Sequence, residues 1–292
     1  MAVKMSKRVQ KSLTRTMSSR VIGKIRINGP IMSSPSRYPG MRGVVSPDGV
    51  LKKIAFAQQR GFRAVIFEIN SPGGAVVASK EIADAIKGAN MHTVAWIRDI
   101  GASGAYWVAS VCERIVADPC SGVGSIGVIG QHIEVSELMK KYGVRYEGFK
   151  SGEFKDMGVP FRKTTQKEKK VIQDHIDELH EFFVKEVADN RGLDKKKLAR
   201  YADGRVFMGE EAKRIGLVDF LGGRSEAIRQ AEIAGNFKHM FVFDIEDMRE
   251  ELLFAVQALF SQAPGGIGRG MARELVERAQ WNPGSWLPGN LF

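Results

Sequence analysis

Residues 63–104, RAVIFEINSPGGAVVASKEIADAIKGANMHTVAWIRDIGASG, decide the fold. Arg63–Ile69 is a near-continuous apolar run of strand length, the pattern of a strand covered on both faces. Asn70-Ser71-Pro72-Gly73-Gly74 breaks it with turn residues. Ala75–Lys87 changes period: Ala78, Ile82, Ala85 and Ile86 fall on one face of a helix that Gly88 ends. Thr93–Arg98 is a second strand, and Gly101-Ala102-Ser103-Gly104 opens a helix reaching Ser110. Strand, turn, helix, strand, turn, helix at this spacing predicts βαβ units. The fold class is therefore α/β with a mainly parallel sheet.

The pattern extends in both directions. Val21–Asn28 reads as a strand ended by Gly29-Pro30, and residues 31–46 form a Ser/Pro/Gly-rich loop too long for a simple connection. Leu51–Gln59 is a helix, and Arg114–Ala117 and Val144–Phe149 read as strands. Gln166–Asn190 is a long helix with a capping-box pattern at Thr165 and Glu168 and with Gly192 beyond its end. Its expected buried stripe is Ile172, Ile176, Leu179, Phe183 and Val187. Gly209–Ile215 is a short helix. Asp244–Phe260 reads as an amphipathic helix and Pro264–Phe292 as a Gly/Pro-rich tail. The expected division is a basic arm over 1–20, a folded domain over 21–236 and a C-terminal segment over 237–292.

Composition narrows the function classes. The chain has 292 residues, 43% of them hydrophobic and 26% charged, enough apolar mass for a core of domain size. Its longest apolar stretch, Leu252–Phe260, falls far short of the roughly 20 residues a membrane span needs. Two cysteines, Cys112 and Cys120, make neither a disulfide framework nor a four-ligand metal site, and they suit a reducing compartment. The net charge of +11 is unevenly placed. Ten of the 44 Lys and Arg lie in residues 1–47 with no acid before Asp48, leaving 34 against all 33 acids in the rest. A nucleic-acid protein more often spreads its basic groups over the folded domain, so no nucleic-acid partner is expected. The arm suits a solvated tail, a contact with anionic lipid or an organelle targeting peptide; Val9, Leu13 and Met17 recur at helical spacing. The expectation is a soluble, cytoplasmic chain that touches membrane at most peripherally, through residues 1–20.

Two turns stand where parallel α/β folds place reactive groups, beyond strand C-termini. Gly73-Gly74 lets a backbone approach a ligand closely. Ser103 lies among residues too small to shield it, at the start of a helix, where a serine is ordinarily an N-cap. Gly101–Ala105 nearly matches the G-x-S-x-G elbow but ends in Ala105. Of the histidines, His92, His132 and His239 lie in poor places for a triad. His175 and His180 share a helix at a spacing that is not H-E-x-x-H. Gly122–Gly127 formally matches G-x-G-x-x-G, yet Val128–Val135 reads extended rather than helical, so no dinucleotide site follows. A serine without a histidine points to lysine as base, with Lys155 as candidate and Lys150 as rival.

Four motifs in order carry a family resemblance: Asn70-Ser71-Pro72-Gly73-Gly74, Ala102-Ser103-Gly104-Ala105-Tyr106, Gly124-Ser125-Ile126-Gly127-Val128 and Ser151-Gly152-Glu153-Phe154-Lys155-Asp156. With Gly204-Arg205-Val206-Phe207 and Ile215-Gly216-Leu217-Val218-Asp219, the chain from Val21 to Ala234 resembles the signal peptide peptidase A (protease four) family. The resemblance implies a Clp-protease/crotonase-like fold and a serine–lysine dyad peptidase that needs no cofactor or metal. It assigns Ser103 as nucleophile, Lys155 as general base, Ser125 as the residue orienting that lysine, and the amides of Gly74 and Gly104 as the oxyanion hole. It also implies a homo-oligomeric ring in which Ser and Lys come from neighbouring copies. Members usually carry a membrane anchor where this chain has its basic arm. Long members hold two copies where this chain has one.

The chemistry is coherent. A lysine of ordinary pKa, ~10.4, is protonated at neutral pH, and bringing it to about 7–8 needs roughly 3–5 kcal/mol of preference for the neutral form, from burial away from carboxylates. Asp156 must then point away. The expected function is a serine endopeptidase acting on hydrophobic peptides such as signal-peptide or membrane-protein remnants. The alternatives are a crotonase-like acyl-CoA enzyme and a non-catalytic ring scaffold of the same fold.

Overall fold

The computed structural model describes residues 20–34, 43–239 and 241–245. The expected basic arm but for Arg20, the middle of the 31–46 loop, and all of the expected Asp244–Phe260 helix and tail beyond Ile245 lie outside them.

Three parallel strands make the centre. They are β1 (Val21–Asn28), β2 (Ala64–Ser71) and β3 (His92–Ala102), with β2 between the others. Between β1 and β2 runs α1 (Pro47–Arg60), and between β2 and β3 runs α2 (Val76–Lys87). The turn chemistry is local. Ser46 caps α1 by accepting from the Gly49 amide, Pro47 occupies its first turn, and Gly61 ends it in the left-handed conformation. Ala78, Ile82 and Ile86 of α2 are buried, and in β2 Ala64–Ile69 are all buried. The α/β class and the mainly parallel sheet expected from residues 63–104 are what the structure shows.

β3 is long enough to serve two neighbours. Its first half pairs with β4 (Arg114–Ala117) and its second half with β5 (Gly122–Gly124), both parallel. α3 (Gly104–Ser110) leaves the end of β3 directly and every one of its residues is buried. Beyond β5 the chain runs through a mostly exposed segment, residues 129–165, whose one regular element is α4 (Ser136–Lys141). α5 (Gln166–Arg191) then returns to the body, and the short α6 (Lys195–Ala199) follows it. β6 (Val206–Met208) pairs antiparallel with β5, α7 (Gly209–Arg214) and β7 (Phe220–Leu221) come next, and β7 pairs with β4. α8 (Arg224–Gly235) brings Ala227 and Ala231 onto Ile22, Ala64, Ile66, Val94 and Val116 of the sheet.

Two expectations are corrected. Val144–Phe149 is not a strand: it pairs with nothing in the sheet, and Phe149 is 92% exposed. Its alternating Val, Tyr and Phe imitate a half-buried strand, but no neighbouring strand supplies the ladder. The stripe on α5 is buried only in its second half, at Phe183 and Val187, whereas Leu179 is exposed and Ile172 and Ile176 are partly so. The capping box at Thr165 and Glu168 and the left-handed Gly192 are both present.

Candidate active site

The three strands β2, β3 and β5 are adjacent and parallel, so their C-terminal turns meet at one end of the sheet. These turns carry Gly73 and Gly74, then Ser103 and Gly104, then Ser125. All five line one cleft of about 480 Å³.

Ser103 stands at the N-cap position of α3 but does not act as a cap. Its side chain makes no capping hydrogen bond, and its backbone sits at φ 51°, ψ −127°. A non-glycine residue held there costs about 1–3 kcal/mol, so surrounding bonds must impose it. They do. The Ser103 amide donates to the Gly124 carbonyl at 2.8 Å, and its own carbonyl accepts from Trp107 at 3.0 Å. Ser125 has φ 49° and donates its amide to the Arg205 carbonyl at 2.8 Å. Both strained serines thus sit in the same cleft, Ser103 fixed by β5 and Ser125 by the residue that leads into β6.

The glycine pair is required by space. A Cβ on Gly73, at φ +94°, would lie 2.7 Å from the Ala102 oxygen and from the Gly104 nitrogen. A Cβ on Gly74 would lie 2.0 Å from the Ile31 oxygen. Ile31 bridges the turn by donating to Gly73 and accepting from Ala75, the two residues flanking Gly74. In a parallel bridge this leaves the Gly74 amide facing the other way. The Gly104 nitrogen begins α3, where amides have no helical partner. Among the described residues neither amide finds an acceptor. They are close neighbours: a Cβ on Gly104 would stand 3.4 Å from the Gly74 nitrogen. Two free amides beside an uncapped serine can stabilise an oxyanion formed at that serine.

The rest of the cleft is mainly apolar. Trp107 of α3 stacks on Phe183 of α5 with centroids 4.7 Å apart, and Val76, Val128 and Ile129 complete the walls. Asp203 also lines it, with its carboxylate held by Arg205 at 2.8 Å. The Trp107–Phe183 wall and Asp203 carry no signal in the sequence, because it takes the packing of α5 on α3 and of β6 on β5 to bring them there.

Lys155 is not brought into this cleft. It is exposed, on a run of turns at 151–158. The charges around it are nevertheless ordered. Lys150 bonds Asp156 at 2.5 Å, Arg162 bonds both Asp156 and Glu168, Lys163 bonds Glu137 at 2.7 Å, and Lys167 bonds Glu153 at 3.0 Å. Of these five cationic side chains, counting Lys155, it alone has no carboxylate partner among the described residues. Asp156 points to Lys150 and Arg162, which hold its carboxyl well below the usual carboxylate range, Arg162 most strongly. Four of the five histidines are engaged elsewhere: His92 with Glu113, His239 with Glu232, His132 with Thr164 and His180 with the Ala202 carbonyl. Among the described residues no cluster of acids, His or Cys could hold a metal, and no helix is long and apolar enough to cross a membrane.

Comparison with known proteins bears on this geometry. The profile of peptidase family S49 matches residues 85–238. The "Putative protease MJ0651" of Methanocaldococcus jannaschii is 35% identical over 215 residues, covering 73% of this chain and 68% of that protein. The "Putative protease slr0021" of Synechocystis is 34% identical over 215 residues, 73% of this chain and 74% of that protein. The "Putative signal peptide peptidase SppA" of Enterococcus faecium is 32% identical over 223 residues, 75% of this chain and 65% of that protein. The matched span takes in the Ser103 turn, the Ser125 turn and the Lys155 loop together, and this chain belongs to peptidase family S49, the family of signal peptide peptidase A and protease four.

Proposed function

We propose that the chain is a serine endopeptidase in which Ser103 attacks a peptide carbonyl, Lys155 of a neighbouring copy takes its proton, and the Gly74 and Gly104 amides receive the oxyanion. The observation that carries this is the Ser103 turn: a strained, uncapped serine in a cleft with two unbonded amides. Lys155 is favoured over Lys150 because Lys150 already serves Asp156. An amine acts as a base only when neutral, which burial away from carboxylates favours. Ser125, in the cleft wall, is the residue to orient the incoming amine.

The neighbouring copy is argued from surface. Ile129, Ile133, Leu138, Tyr142, Phe149 and Phe161 are all exposed within residues 129–165, a density that marks an interaction surface. A second copy covering that segment would bury these groups and seat Lys155 in a cleft that lacks a base. The apolar walls made by Val76, Trp107, Val128, Ile129 and Phe183 suit hydrophobic peptide side chains as substrate.

Two measurements test the reading. A fluorophosphonate should label Ser103 and nothing in a Ser103→Ala chain; absence of label on the parent chain would remove the nucleophile. Mixing inactive Ser103→Ala with inactive Lys155→Met chains should restore part of the peptidase activity once subunits exchange. No recovery at any ratio, with exchange demonstrated, would place both groups within one copy.

A further inference from the structure

We infer that Arg162 is a positioning residue for the base: its guanidinium, clamped between Asp156 and Glu168, docks the Lys155 loop on the start of α5 and turns the adjacent carboxylate away from the lysine. The inference rests on Lys155 being the base.

Asp156 follows Lys155 in the chain. A free carboxylate there would favour the charged amine and oppose its use as a base. Arg162 prevents this in two ways. Its Nε lies 2.9 Å from Asp156 Oδ2 and its Nη2 lies 2.7 Å from Oδ1, a bidentate fork that fixes the carboxylate in direction as well as charge. Nη2 also donates to the Asp156 backbone oxygen at 3.2 Å, so the main chain next to Lys155 is held too.

The other side of the guanidinium grips α5. Nη1 lies 2.9 Å from Glu168 Oε2, and Nη2 bonds Oε1. Glu168 is only 2% exposed and is itself the capping-box residue, accepting the Thr165 amide at 2.8 Å. A continuous set of bonds therefore runs from the backbone beside Lys155, through one guanidinium, into the first turn of a 26-residue helix. That helix reaches the nucleophile's own helix through Phe183 and Trp107. A lysine at 162 would keep the charge but could not present a planar fork to two carboxylates.

The charged groups around the clamp have partners of their own. Lys150 shares Asp156, Glu153 is turned to Lys167, Lys163 is turned to Glu137, and Glu168 belongs to Arg162. Asp156 stays ionised and clamped at any pH where an amine can act as base, because Arg162 and then Lys150 hold its carboxyl below the ordinary range.

The test is kcat and KM against pH for the full chain on a fluorogenic hydrophobic peptide, with thermal melts alongside. The rate rises as the base loses its proton, so anything that favours the charged amine moves the acid limb to higher pH. Arg162→Gln should lower kcat about tenfold or more with KM within about twofold, and move that limb upward by on the order of one pH unit. Asp156→Asn should not move the limb upward. Arg162→Gln combined with Asp156→Asn should return the limb to the parent position while kcat stays low. A clamp of purely structural value would lower the rate equally at every pH. An unmoved limb in Arg162→Gln, or equal movement in the double variant, overturns the inference. Should Arg162→Gln lose its cooperative melt, Arg162→Lys and Asp156→Asn decide: both must lose kcat with the limb at or below the parent's, and a parent-like kcat in either overturns it. Lys155→Met in the same assay separates the two levels. Activity retained there removes the base assignment itself. Activity lost there with an unmoved Arg162→Gln limb removes only the role of Arg162.

Discussion

The turns after β2, β3 and β5 and the segment 129–165 are both irregular backbone, yet they are held by opposite means. The turns are locked by hydrogen bonds from parallel neighbours and by glycines with no room for a side chain, tightly enough to keep Ser103 and Ser125 at positive φ. The segment has few such bonds. It is tied instead by local turns, a Val135–Pro160 backbone bond and ion pairs along its length, the Arg162 clamp among them, and many of its apolar side chains face outward. A nucleophile and an oxyanion hole need fixed geometry, and the groups proposed for them sit on the sheet. A base that is to arrive from elsewhere can ride on a surface element, provided that element is internally stiff.

The sharpest break in this comparison is between two lysines of one loop. Lys155→Met should reduce peptidase activity by on the order of a thousandfold or more, whereas Lys150→Met, which removes a partner of Asp156 and of the Glu153 carbonyl, should stay within about tenfold of the parent. Steady-state rates on one peptide decide it, and the reverse order would move the base to Lys150.

Next in size is the contrast between the two regions' aromatic groups. Trp107 is buried against Phe183, and Trp107→Ala should cost about 3–5 kcal/mol in urea unfolding. Phe149→Ser should leave the stability of the isolated chain within ~0.5 kcal/mol, as expected for an exposed site. It should instead lower the sedimentation coefficient at a given concentration. A Phe149→Ser chain that assembles like the parent would mean the apolar segment is covered by something other than a second copy.

The smallest effect sharpens the strain at the nucleophile. Ser103→Gly and Ser103→Ala both lack the hydroxyl, but glycine accepts φ 51°, ψ −127° without penalty. The glycine variant should be the more stable of the two by about 1 kcal/mol in chemical unfolding. Equal stability would mean the turn relaxes once the hydroxyl is gone.

Much of the nucleophile end was legible from residue order alone. The change of period between Arg63–Ile69 and Ala75–Lys87, and again around Ser103, reports hydrogen-bonded elements whose apolar faces must be covered, and the structure has those elements. Ser103 holds the cap position without a capping bond, because capping is a local habit, whereas its amide is tied to Gly124 of a separate strand. The 129–165 segment was harder to read. Alternation at Val144–Phe149 says which side chains share a face, not whether a strand lies beside it. Half of the α5 stripe failed for the same reason, since periodicity cannot name the surface that covers a face. Arg162 left no trace, because Asp156, Arg162 and Glu168 are spaced by six, which falls off any one helix face, and Gly158 and Pro160 between the first two read as loop; the spacing acquires meaning only when the loop folds back on Thr165.

The outward-facing segment also bears on how a cell tolerates such a chain. On the proposed reading, in which a neighbour delivers the amine, a copy fresh from the ribosome would carry an attacking group it cannot yet use, and stray polypeptides nearby would be safe from it. Output would then depend on more than the first power of abundance, since assembled copies grow faster than total copies near the dissociation constant. Halving synthesis in that range would cut cleavage by more than half, and a modest rise would switch it on. Dosage itself would become the control.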